Sequence, residues 1–129
     1  MHIGEGTNVL FINPNGTTVY IKSVGRGVII GENVTIHKDV TLGDGVIISP
    51  GAVIGEGATV ERHARIFHKA RVGMGVLVEQ FCCIFFDAIL KDGITVGEYS
   101  TVCKKETANS NMPKHSLLCD GKIIDMAAA

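Results

Sequence analysis

Residues 30–60 read IGENVTIHKDVTLGDGVIISPGAVIGEGATV, and their spacing decides the fold. Ile30, Ile36, Leu42, Ile48, Ile54 and Val60 stand six residues apart. The same step reaches back to Val24 and on through Ile66, Val72, Val78, Ile84, Leu90 and Val96 to Val102. All fourteen are Val, Ile or Leu. Such agreement by chance is on the order of one in 10⁸ for residue types that make up about a quarter of a chain. A second column, four residues after each of these, is mostly small: Val28, Val34, Val40, Val46, Ala52, Ala58, Ala64, Ala70, Val76, Cys82, Ala88, Ile94 and Ser100.

A period of six matches neither the helical 3.6 nor plain strand alternation. It matches a short strand and a corner, repeated. A large and a small residue point inward on each strand and flank one outward residue. Glycine often follows the aliphatic (Gly25, Gly31, Gly43, Gly55, Gly73, Gly97), where the corner is expected to need positive φ. Three sides close a triangular coil of about 18 residues, and coils stack at about 4.8 Å. The expected fold is all-β, a single-stranded parallel β-helix of about five coils over residues 24–107. A sandwich of short strands would give uneven spacing and hairpin turns.

The ends differ. Residues 3–23 run out of phase, with VLFI and TTVYI flanking the turn signal Asn13-Pro14-Asn15-Gly16. Residues 1–23 are either a hairpin covering the first coil or a coil with a loop. After Val102 the repeat fades, and residues 108–129 read as a tail or cap ending in Ala127-Ala128-Ala129. A solenoid needs caps over its unpaired edges.

Composition narrows the function. The 129 residues suit one domain, and a net charge of -1 offers no basic field for nucleic acid. No apolar run is long enough to span a bilayer, and the N-terminus is not a signal sequence, so a cytoplasmic location is expected. Cys82, Cys83, Cys103 and Cys119 fit neither a zinc spacing nor a disulfide framework, and reduced thiols are expected.

Stacking places residue n under n+18. One outward column then reads Ile29, Ile47, Arg65, Cys83, Thr101, beside a corner column Gly31, Ser49, Phe67, Phe85, Cys103. Ile29, Ile47, Phe67, Cys83 and Phe85 form an apolar stripe that a monomer rarely leaves wet. Burial around a three-fold axis is expected, a terminal segment folding over the stripe being the alternative.

IGENVT, IGEGAT and LGDGVI resemble the hexapeptide-repeat acyltransferase superfamily. The resemblance implies left-handed coiling, usually a homotrimer, and one of three roles: acyl transfer from acetyl-CoA, γ-class carbonic anhydrase, or non-catalytic scaffold. Acyl transfer to a hydroxyl or amine of a small metabolite or sugar needs a general base, normally histidine. FINPNGTTVYI with GVIIGENVTIHKDVTLG, and the tail NMPKHSLLCDGKII, resemble serine acetyltransferases. That family takes its base from an Asp-His-Gly-Thr-Gly segment; Asn13, Pro14 and Asn15 stand there in this chain, so the base is sought elsewhere. His37 leads, because its stacked neighbours Gly55 and Gly73 leave open space beside it. His68, between Pro50 and Phe86 and near the apolar stripe, is second. His63 is expected to stack on Phe81 and Tyr99, and His115 lies in the tail.

VERHARIFHKARVGMG resembles γ-class carbonic anhydrases, which bind zinc through three histidines drawn from two subunits. The resemblance implies His37, His63 and His68 as ligands, although the His63–His68 pair sits one residue out of that family's phase.

Overall fold

A computed structural model describes residues 2–126; the Ala127–Ala129 tail lies outside the described residues. The chain winds into a left-handed parallel β-helix of about five coils with three flat faces. On the first face, Val28–Ile30 leads to Ile47–Ile48, Arg65–Ile66, Cys83–Ile84 and Thr101–Val102, each parallel to the last. The second carries Thr35–Ile36, Val53–Ile54, Arg71–Val72, Ile89–Leu90 and Thr107–Ala108. The third carries Thr41–Leu42, Thr59–Val60, Leu77–Val78 and Thr95–Val96. Partners such as Ile66 and Ile84 are 18 residues apart, as the period requires.

Both inward columns are buried, from Val24 to Val102 and from Val28 to Ser100. Each coil sets three large aliphatics against three small residues, which fills a narrow triangle without aromatic rings. The aliphatic area removed from water supplies the main stabilisation, at about 25 cal/mol per Å².

The corner glycines work differently from the expectation. Positive φ falls two residues later, at Gly27, Gly45, Gly51, Gly57, Gly75 and Gly93, and at the non-glycines Asn33, Asp39, His63, Lys69, Phe81 and Tyr99 among others. The glycine directly after the aliphatic is needed for close approach. A Cβ on Gly43 would lie 2.6 Å from the Arg62 backbone nitrogen on the next coil.

The first end is a hairpin. Gly6–Ile12 pairs antiparallel with Thr18–Val24, whose last residues run parallel to Thr41–Leu42 as the opening rung of the third face. Phe11 and Ile21 are buried against the first coil, while Leu10, Ile12 and Tyr20 face outward. Asn13 closes the exposed end of the second face. Its Nδ2 donates to the Ile36 carbonyl at 3.0 Å, and its Oδ1 accepts from the Ile36 N–H at 2.8 Å. The side-chain amide thus pairs as another peptide unit would. Replacing Asn13 with Ala leaves both Ile36 groups unpaired at a buried edge and is expected to cost about 2 kcal/mol, read by urea denaturation. Asn13→Asp keeps the acceptor but sets oxygen against oxygen, and should cost at least as much.

The coil continues beyond residue 107, two residues short. Val102 pairs with Leu118 and Val96 bridges Met112, both 16 apart instead of 18. The shortening falls between Ala108 and Met112. Ser100 occupies an inward position there, its hydroxyl donating to the Pro113 carbonyl and accepting the Ser116 N–H. Ser116–Cys119 then turns back antiparallel into Lys122–Asp125, which ends the first face.

The reduced-thiol expectation is corrected for one pair: Cys103 and Cys119 form a disulfide, with Cα atoms 5.3 Å apart. An 18-residue step from Cys103 would reach Gly121. The two-residue shortening brings Cys119 over Cys103 instead. No helix among the described residues is long and apolar enough to cross a membrane.

Candidate functional site

Three corners join the faces, and each holds a different histidine. His37 lies on the corner between the second and third faces. His37, Gly55, Gly73 and Lys91 occupy one position on four successive coils, since their N–H groups donate to Ile54, Val72, Leu90 and Ala108 in turn. The two glycines leave a floor without side chains between His37 and Lys91. A Cβ on Gly55 would meet the Gly73 carbonyl carbon at 2.6 Å, so the floor cannot take larger residues. The resulting open hollow, about 390 Å³, is lined by His37 with Val53, Arg71, Met74, Ile89 and Lys91 among others.

The hollow sets an apolar wall beside two cations, Arg71 and Lys91, and two carboxylates, Glu56 and Asp92. Val53, Arg71 and Ile89 form the adjacent outward column of the second face. Met74 is 55 % exposed at the rim. Glu56 pairs with Lys38 at 3.6 Å, and Asp92 Oδ1 accepts the Met74 N–H at 2.8 Å. Sequence reasoning named His37 and the two glycines. It missed Arg71, Met74 and Lys91, although the 18-residue step already placed Lys91 above Gly73.

His68 lies on the corner between the first and second faces. The Lys69 N–H donates to the Pro50 carbonyl and the Asp87 N–H to the His68 carbonyl, which fixes the column Pro50, His68, Phe86. Beside it, Phe67 and Phe85 stack at 4.8 Å, with rings 7° from parallel. Lys104 stands 5.9 Å over the Phe86 ring.

His63 lies on the third corner, between the third and first faces. It stacks on Phe81 at 5.1 Å, Phe81 on Tyr99 at 5.1 Å and Tyr99 on His115 at 5.2 Å. His115 therefore joins this ladder, because the shortened last coil brings it over Tyr99 where an 18-residue step would place Leu117. His63, Phe81, Tyr99 and His115 all hold φ between 56° and 61°. Stacking uses up the ring faces, so the ladder packs the corner. His37, His63 and His68 thus stand on three separate corners, and one chain does not bring them together. Among the described residues no cluster of three His, Cys, Asp or Glu side chains could hold a metal ion.

The free thiols differ. Cys82 points inward, and burial pushes its thiol up to about 11, with the backbone hydrogen bond at Ser100 opposing. Cys83 points outward and is partly exposed. Cys82 is therefore expected to resist iodoacetamide in the folded protein and to react only on unfolding, as peptide mass spectrometry would show. Ready labelling of Cys82 in the folded protein would contradict the inward placement.

Residues 22–56 match the family model described as bacterial transferase hexapeptide (six repeats). Among solved structures, a hexapeptide-repeat-containing acetyltransferase from Vibrio cholerae superposes with a TM-score of 0.72 at 16% identity, over 80% of this chain and 73% of that one. The form complexed with acetyl coenzyme A gives 0.70 at 16%, over 78% and 67%. A histidine-to-asparagine mutant of perosamine N-acetyltransferase from Caulobacter crescentus, in complex with CoA and GDP-perosamine, gives 0.69 at 22%, over 82% and 56%. These likenesses show the fold. No curated protein matches by sequence.

Proposed function

Starting from a chain that carries bacterial transferase hexapeptide repeats and shares its fold with hexapeptide-repeat acetyltransferases, we propose that it transfers an acetyl group from acetyl-CoA to a hydroxyl or amine of a small metabolite or sugar. The observation that carries this reading is the hollow beside His37. It combines an exposed imidazole, a floor without side chains and an apolar wall. Those features suit a slender thioester arm and the acceptor that meets it.

His37 is the general base. Its imidazole takes the proton from the acceptor as that oxygen or nitrogen bonds to the thioester carbonyl carbon. The carbon–sulfur bond breaks, and the proton passes to the departing CoA sulfur. Acetyl-CoA supplies the activated acyl group. The chain supplies position and proton transfer. His68 is the second candidate base, on a corner next to stacked Phe67 and Phe85.

The working unit is a homotrimer joined through the face bearing Ile29, Ile47, Phe67, Cys83 and Phe85. Sedimentation should give three times the chain mass of 13.7 kDa; a stable monomer would remove the trimer. The thioester donor places the reaction in the cytoplasm. There the Cys103–Cys119 bond faces a reducing pool, and alkylation of cells at lysis reads the fraction bonded.

The first test is thermal melting with acetyl-CoA, which should raise the midpoint by several degrees at saturating ligand. The absence of a shift with any acyl-CoA would overturn the reading.

A further inference from the structure

Resting on the acyl-transfer reading of the His37 hollow, we propose that Arg71 and Lys91 form an anion subsite in it, which holds a phosphate group of the acceptor. The charges in the hollow carry the proposal. Of its two carboxylates, Glu56 is paired with Lys38, and Asp92 keeps its charge but turns Oδ1 to the Met74 N–H. Among the described residues neither Arg71 nor Lys91 has an ion pair. Arg71 is flanked along its column by Val53 and Ile89, so no acidic side chain faces it from the coil on either side. Lys91 stands directly over Gly73 on the same corner position as His37.

The spacing suits an acceptor that carries a phosphate. Three coil steps separate Lys91 from His37, about 14 Å between backbones at ordinary strand spacing. Both cationic side chains can reach back across the glycine floor, which shortens the gap to the length of a phosphorylated sugar or amine. A nucleophile at one end then meets His37 while the phosphate meets the two cations. The planar guanidinium can grip two phosphate oxygens, and the ammonium adds a point charge. Two cations suit a dianion better than a single carboxylate.

The test uses calorimetric titration of the whole chain with inorganic pyrophosphate at low salt, with acetyl-CoA melting shifts recorded in parallel. Arg71→Gln and Lys91→Gln alter exposed side chains and remove the charge while keeping a polar group. Each is expected to weaken pyrophosphate binding at least fivefold and the pair to abolish it. No pyrophosphate binding by the parent chain, or unaltered binding in both variants, would overturn the subsite. Saturating acetyl-CoA should leave pyrophosphate affinity of the parent chain within about twofold; competition between the two would also overturn the subsite, by giving the cations to the donor. Should the parent chain bind pyrophosphate through these residues but ignore acetyl-CoA, the subsite stands and the acyl-transfer reading falls.

Discussion

His37→Ala is expected to lower acetyl transfer by about 10²- to 10⁴-fold, the usual contribution of a positioned general base. Acetyl-CoA binding should stay within a few-fold, since the glycine floor and the wall of Val53 and Ile89 remain. Stability should also hold. His37 is exposed, and its backbone N–H to the Ile54 carbonyl survives the change. The combination of lost turnover and kept binding separates a base from a packing residue. Full activity in His37→Ala, with loss in His68→Ala, would move the reaction to the corner beside Phe67 and Phe85. Loss in neither would leave no histidine base among these candidates.

Replacing both Cys103 and Cys119 with Ser is expected to cost about 3 kcal/mol, the loop-closure value for a bridge across roughly 15 residues. The bridge spans 16 residues and ties the short last coil to the one before it. That end needs the tie. Lys122–Asp125 is exposed throughout, and the inward serines Ser100 and Ser116 replace apolar contacts there. A solenoid coil contacts only its neighbours, so the loss should begin as fraying from the C-terminal end. Thermal melting of the parent chain should fall by about 10 °C with reductant. The double variant should already melt at the lower temperature and ignore reductant. Identical melting of the oxidised and reduced chains would contradict this role.

The central coils were legible because their physics is local and repeated. From Val24 to Val102 every sixth residue must fill the same wedge, so an unbroken aliphatic column has one reading. The stacking of Phe67 on Phe85 and of His63 on Phe81 and Tyr99 followed by simple addition of 18. The ends were not legible, because each breaks the period once. Nothing local marks the loss of two residues between Ala108 and Met112. With that slip unseen, an 18-residue step from Cys103 or Tyr99 lands two residues late, which hides the disulfide and the fourth rung at His115. Asn13 stood out only as a turn signal and as the place where a family histidine was missing. Its pairing with Ile36 depends on a tertiary approach no spacing announces. The corner glycines were noticed, but the need for close approach at Gly43 and for positive φ at Gly45 cannot be told apart before the coils are stacked. At the hollow, stacking identified the open floor beside His37. The free charge of Arg71 and Lys91 emerged only once Glu56 and Asp92 were seen to be engaged.

A structure of the chain with acetyl-CoA bound tests the central claim most directly. The account predicts the thioester in the hollow at the His37 end of the glycine floor, with its carbonyl carbon near enough for an acceptor atom to touch both it and the His37 imidazole. A thioester bound on the corner of His68, or an acetyl-CoA that leaves the His37 hollow empty, would contradict it.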